Sequence, residues 1–160
     1  LSPLFIGGLS TAGGLAGVAG AAIFARLSAR EGATARLALW SILAGAPLSL
    51  LYMFYVGPGS ILALTVLFAL TGVVFRLAWM DLAARLSPAG AEATGFAAFM
   101  AVFNIAAAAS NWAGGALYER LAAPHGAYTA MAALSLVGTL ATVAAWPALR
   151  VALANDAARA

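Results

Sequence analysis

The chain has 160 residues, of which 64% are hydrophobic and only 8% charged, and its mean hydropathy is +1.00. Soluble domains carry about 25% charged residues, so this composition indicates a membrane protein whose surface meets lipid. The eight basic residues are all arginines, balanced by five acids to a net charge of +3. They fall in separate short segments, which argues against a nucleic-acid-binding surface.

Five apolar stretches are long enough to cross a bilayer, for which a helix needs about 20 residues. They cover approximately residues 3–25, 37–56, 60–80, 95–117 and 127–149. The connections between the spans are of hairpin length, and all but the first contain a helix-breaking proline. The sequence therefore predicts an all-α polytopic membrane helix bundle of five transmembrane helices in residues 1–160, with no second domain.

Two features predict how the first two spans pack. The first span repeats small residues at every fourth position, in two sets: Gly13, Gly17 and Ala21, and Ala12, Ala16 and Gly20. Such faces allow close helix contacts in lipid; a contact that lets helices slide remains the alternative. In the second span, Pro47 predicts a kink because its ring clashes with the preceding turn.

The distribution of arginine predicts the orientation. If the connection after the first span is cytoplasmic, only Arg120 lies on the outer side, and the inner side holds Arg26, Arg30, Arg36, Arg76, Arg85, Arg150 and Arg159. Cytoplasmic loops are enriched in basic residues. We therefore expect a multi-pass protein of the inner (plasma) membrane, with its N-terminus outside and its C-terminus in the cytoplasm.

The fourth span contains two asparagines within a mostly apolar stretch. Asn104 and Asn111 are seven residues apart, so they share one helix face about two turns apart, and Ser110 lies beside Asn111. Unpaired amides in hydrocarbon are costly, so these groups must face other helices or a wet cavity. The first arrangement would hold the bundle together, and the second would offer hydrogen bonds to a polar solute. Phe103 on the same span is a core residue or a stacking surface.

Charged residues near the cytoplasmic ends have several interpretations. Arg76, inside the third span, could extend to the interface, meet an anionic solute, or pair with Asp81 or Glu92. Asp81 and Arg85 are four residues apart and could form a local pair. Glu92 suits the positive N-terminus of the fourth helix, for which Ser87 is the expected cap, with Pro88 as first helical residue.

The residue types also exclude several chemistries. The chain has no cysteine, no lysine and one histidine; a retinal Schiff base and a bis-histidine haem therefore lack their ligands. No acid or base lies near the middle of a span, and no span has the regular arginines of a voltage sensor. We expect no enzyme activity, cofactor or metal site. A transporter and a non-transporting membrane assembly or scaffold protein remain.

The predicted topology resembles helices 8–12 of a major facilitator superfamily transporter, including a basic inner connection after helix 8. The superfamily's loop motif is represented by Gly20, Arg26, Arg30 and Gly32, without its aspartate. Residues 88–115, "PAGAEATGFAAFMAVFNIAAAASNWAGG", are more specifically similar to the folate–biopterin transporter family. The matching residues are Pro88, Gly90, Glu92, Thr94, Phe96, Ala97, Asn104, Ser110 and Gly114.

The resemblance implies a secondary active transporter that moves a small polar solute, with folate or a pteridine as the candidate, by alternating access around a midplane site. Its first, third and fourth spans would line the cavity. The substrate-binding candidates are then Asn104, Asn111, Ser110, Arg76 and Phe103. Arg76 is the candidate basic residue that would bind the folate carboxylates. The candidates for the gate and its loops are Asp81, Arg85, Glu92, Arg26 and Arg30. A carrier of an unrelated solute, such as a drug or sugar, is the alternative.

The resemblance also implies partners. The remaining N-terminal half of the same transporter would close the cavity, and the bilayer would surround both. Because this segment has no midplane carboxylate, we expect an acid for proton or ion coupling to lie in that half. Five helices alone are expected to transport nothing.

Overall fold

The computed structural model describes residues 2–30 and 32–157. Its helices are α1 (Pro3–Ser28), α2 (Ala33–Leu50), α3 (Pro58–Leu86), α4 (Glu92–His125), α5 (Ala127–Ala144) and α6 (Trp146–Ala157), and a 3-10 turn, Leu51–Phe54, extends α2. No strand occurs in these residues. Five helical segments are long and apolar enough to cross a membrane: α1, α2 with its 3-10 turn, α3, α4, and α5 joined to α6. The predicted all-α polytopic bundle is confirmed.

The most extensive helix contact joins α1 to α3. At Gly20 an added Cβ would lie 2.6 Å from the backbone oxygen of Leu70, so only glycine allows this approach. Gly13 and Gly17 also face α3, where an added Cβ would meet side chains at 3.6 and 3.4 Å. Ala16 is buried in the same interface region. Members of both predicted sets, Gly13 and Gly17 of one and Gly20 of the other, therefore contribute to one helix contact.

Pro47 lies inside α2, and the helix continues for three residues beyond it. Two hydroxyl groups gather around the carbonyl of Ala46, the residue before this proline. Ser49 Oγ donates to the Ala46 oxygen at 2.7 Å, and Thr139 Oγ1 of α5 lies 3.2 Å from that oxygen. The two hydroxyl oxygens are 2.6 Å apart. Side-chain hydroxyls thus join α2 to α5 at the proline, as membrane helices commonly allow.

The fifth predicted span, 127–149, is interrupted. The α5 helix ends at Ala144, and α6 begins at Trp146 with Pro147 in its first turn. Proline is tolerated in the first turn of a helix because its missing N–H would have no partner there. The turn directs α6 against α2 and α3, where Leu149 is completely buried. It belongs to a core cluster with Ala38, Ile42 and Leu82.

The start of the fourth helix also differs from the prediction. Ser87 ends α3, where its Oγ donates to the Ala83 oxygen at 2.9 Å, and does not cap α4. Pro88 belongs to a turn closed by a 3.0 Å bond from the Ala91 N–H to the Pro88 oxygen. Gly90 has φ +82, a left-handed conformation that breaks a helix and suits glycine. Helix α4 therefore begins only at Glu92.

Candidate solute-binding site on α3 and α4

The middle of α4 forms an open surface. No described side chain of α4 is buried, and every residue from 101 to 113 is exposed. Partly buried positions are confined to 95–100 and 114–122, where α4 meets α3 and α5. A stretch of thirteen residues between two helix contacts is thus left uncovered by the described part of this chain.

The polar candidates of α4 lie on this open surface. Asn104, Ser110 and Asn111 are all exposed. Their side chains make no hydrogen bond to another helix within residues 2–30 and 32–157. The seven residues between the two amides correspond to about 10 Å along the helix axis. We refer to Asn104, Ser110 and Asn111 as the polar strip of α4.

A cation from α3 reaches the aromatic residue next to the polar strip. The Arg76 Cζ atom lies 5.1 Å from the centroid of the Phe103 ring, within the range of a cation–π interaction. Phe103 is 36% exposed, and its ring centroid is 6.4 Å from that of Phe99. Arg76 therefore turns toward α4 rather than toward Asp81 or Glu92, since the described side chains place neither carboxylate within 4 Å of it.

The position of Arg76 along α3 bears on its depth in the membrane. It lies ten residues before Leu86, the end of α3, which is about 15 Å along the helix axis. The hydrocarbon core is about 30 Å thick. The Arg76 guanidinium thus contacts the Phe103 ring well inside α3. Phe103 is next to Asn104 in sequence, and Arg76 is exposed.

Asp81 is the centre of a second polar cluster. Its Oδ2 accepts a 3.0 Å bond from Arg85 Nε, which confirms the predicted local pair. The same oxygen accepts a 2.5 Å bond from Thr34 Oγ1 at the start of α2. Thr34 is only 4% exposed. Sequence reasoning missed Thr34, because a threonine close to a loop has no feature that names a partner 47 residues away.

The other gate candidates do not join that cluster. Arg26 and Arg30 are exposed, and the described side chains give neither of them a carboxylate partner within 4 Å. Glu92 is exposed and accepts a 2.9 Å bond from the Gly90 N–H in its own loop. Across residues 2–30 and 32–157, no three His, Cys, Asp or Glu side chains come together as metal ligands would.

These observations define an α-helical, multi-pass membrane protein with an open polar surface on one long helix. The model of the BT1 family matches residues 2–158, nearly the whole chain, and the chain therefore belongs to this family, the folate–biopterin transporters. The resemblance at residues 88–115 is confirmed at the level of the family, which is one of membrane transporters. Neither a curated protein nor a solved structure matches this chain.

Proposed function

We propose that this chain is part of a secondary active transporter of the major facilitator type that carries folate or a related pteridine by alternating access. The observation that carries the proposal is the meeting of Arg76 and Phe103 beside the polar strip of α4. A cation, an aromatic ring and two amides are the groups that a flat, hydrogen-bonding, anionic solute requires. Membership of a transporter family supports the same conclusion.

Each residue has a distinct role in this proposal. Arg76 binds a carboxylate, for which a guanidinium is well suited. Phe103 packs against the pteridine ring, and Asn104 donates and accepts hydrogen bonds at the ring edge. Asn111 and Ser110 extend the contact about 10 Å along the helix. The solute would therefore meet the Phe103 ring beside the contact between Arg76 of α3 and Phe103 of α4.

The open surface of α4 also suits a cavity formed with a partner. We propose that the N-terminal half of the same transporter covers residues 101–113 and closes the solute cavity between the two halves. A major facilitator arrangement places α1 to α4 at helices 8 to 11, and α5 with α6 at helix 12. The coupling acid then lies in the covering half.

Orientation and gate follow from the charges. We propose that the chain lies in the inner membrane with its N-terminus outside, because the arginines concentrate at one end. The cytoplasmic gate centres on Asp81 and Arg85 at the end of α3. The nearby loops contribute Arg26, Arg30 and Glu92, which are exposed and available to the other half when the gate closes.

The test is uptake of labelled folate and biopterin by cells that produce the full-length protein, unaltered or with Asn104→Ala. Asn155→Ala is the matched control, since Asn155 is an exposed amide on α6, away from the site. Surface quantities of the three proteins are compared in the same cells. Saturable uptake that Asn104→Ala abolishes and Asn155→Ala preserves would support both substrate and site.

Two other results would count against parts of the proposal. Saturable uptake that survives Asn104→Ala would remove Asn104 from the site and retain the transported solute. A protein that reaches the membrane and takes up neither compound would overturn the pteridine assignment. Competition with unlabelled drugs and sugars would then identify the alternative class of solute.

A further inference from the structure

A second surface lies away from the polar strip, between α2 and the junction of α5 with α6. It is a groove of about 330 Å³ lined by Ile42, Leu43, Ala46, Val143 and Trp146. All five side chains are apolar. Leu43 is 49% exposed and Val143 is 53% exposed, so the groove is open to its surroundings. In a membrane protein those surroundings are lipid acyl chains.

A positive charge lies against Trp146, one of the residues that line this groove. Arg150 follows Trp146 by four residues on α6, and its Cζ lies 5.9 Å from the centroid of the Trp146 ring. Arg150 is exposed. Among the described side chains no carboxylate lies within 4 Å of its guanidinium. The groove is therefore lined by an aromatic ring that contacts a cation, and no described carboxylate pairs with that cation.

This arrangement matches the two parts of one phospholipid. Tryptophan is enriched where the hydrocarbon meets the headgroups, and basic pockets between membrane helices bind anionic headgroups. Val143 and Trp146 both line the groove, and the guanidinium of Arg150 contacts the Trp146 ring. An acyl chain in the groove would thus have its phosphate within reach of Arg150.

We propose that this groove binds one anionic phospholipid. Its acyl chain lies along Leu43, Ala46 and Val143, and its phosphate accepts hydrogen bonds from Arg150. Charge complementarity selects the anionic headgroup, because Arg150 contacts the groove residue Trp146 and no described carboxylate lies within 4 Å of its guanidinium. The bound lipid bridges α2 and α6 and supports the docking of α6. The proposal requires only the membrane setting and is independent of the transported solute.

The experiment uses the full-length protein in phosphatidylcholine vesicles that contain phosphatidylglycerol. Brominated acyl chains are placed either on the phosphatidylglycerol or on an equal mole fraction of the phosphatidylcholine. Quenching of the Trp146 fluorescence is obtained by subtracting the signal of the Trp146→Phe variant from that of the unaltered protein. One arginine at an anionic surface predicts roughly a fivefold preference for the anionic lipid.

Substitutions of Arg150 distinguish lipid bound in the groove from lipid of the surrounding bilayer. Arg150→Gln is expected to bring the preference to parity, whereas Arg150→Lys keeps it. Arg120→Gln, an arginine in another part of the chain, is the matched control and keeps it as well. Phosphatidylglycerol retained on the detergent-purified protein, counted by native mass spectrometry, gives a readout without any tryptophan substitution.

Three outcomes would overturn the proposal. The first is equal quenching by both brominated lipids in the unaltered protein. The second is a preference that Arg150→Gln leaves unchanged in both readouts. In the third, inorganic phosphate alone removes the preference, and the site would then bind a free anion rather than a lipid.

Discussion

The guanidinium of Arg76 lies 5.1 Å from the centre of the Phe103 ring, and this contact joins α3 to α4 beside Asn104. The guanidinium of Arg76 therefore lies next to the polar strip, and both are exposed. The contact brings Arg76, already a substrate-binding candidate from the sequence, next to the candidates on α4.

Replacing Arg76 with Gln is expected to weaken folate transport more than biopterin transport. Folate carries carboxylates and biopterin carries none, so only folate loses a charged partner. A hydrogen bond to a charged group is worth about 1.5–3 kcal/mol, which predicts a rise of roughly tenfold or more in the KM for folate. Concentration-dependent uptake of both solutes measures the difference. An equal rise for both would place Arg76 in a structural role.

Replacing Gly20 with Ala is expected to destabilise the contact between α1 and α3. Its new Cβ would lie 2.6 Å from the Leu70 oxygen, and overpacking of this kind costs about 1–3 kcal/mol. Gly14→Ala on the same helix is the control, because nothing lies within 4 Å of an added Cβ there. Thermal unfolding in detergent should separate the two variants. If Gly20→Ala matched Gly14→Ala, the close approach would be absent in solution.

Replacing Thr34 with Val should loosen the contact between α2 and α3. The substitution keeps the shape of a side chain that is 4% exposed and removes its 2.5 Å hydrogen bond to Asp81. Loss of a bond to a charged group predicts about 1.5–3 kcal/mol of lost stability. Thr11→Val serves as control, since Thr11 is exposed and bonds only within its own helix. Equal stabilities of the two variants would contradict the role given to Thr34.

Replacing Leu149 with Ala should release α6 from the bundle. Leu149 is 0% exposed, and a leucine-to-alanine change at such a site costs about 2–5 kcal/mol. Leu136→Ala is the control on α5, where the side chain is 55% exposed. Protease digestion is expected to cut near α6 sooner in Leu149→Ala than in the control. Identical digestion would mean that α6 is held by other contacts.

The proposed orientation is tested by chemical labelling. This chain has no cysteine. A single cysteine can therefore be introduced at His125 or at Ala29, in full-length protein that contains no other cysteine. Both positions are exposed, at opposite ends of the helices. A maleimide that does not cross membranes should label His125→Cys on intact cells and should label Ala29→Cys only after lysis. The reverse pattern would invert the topology.

Local features were predictable from the sequence. The five spans, the pairing of Asp81 with Arg85 and the family resemblance at residues 88–115 were all confirmed. The break before Trp146 and the start of α4 at Glu92 were not predicted. In both cases a proline or glycine determines where a helix begins or ends. Hydropathy does not locate helix ends to within a few residues.

The sequence by itself determined that this chain is a set of membrane helices, because apolar segments in lipid must satisfy their backbone hydrogen bonds internally and therefore become helices. Only the tertiary structure decided which helices touch. Arg76 meets Phe103, Thr34 meets Asp81, and Gly20 meets Leu70 across helix contacts that depend on surface shape. Lipid is as apolar as the helices themselves, so hydrophobicity does not choose the partners; close packing and hydrogen bonds do.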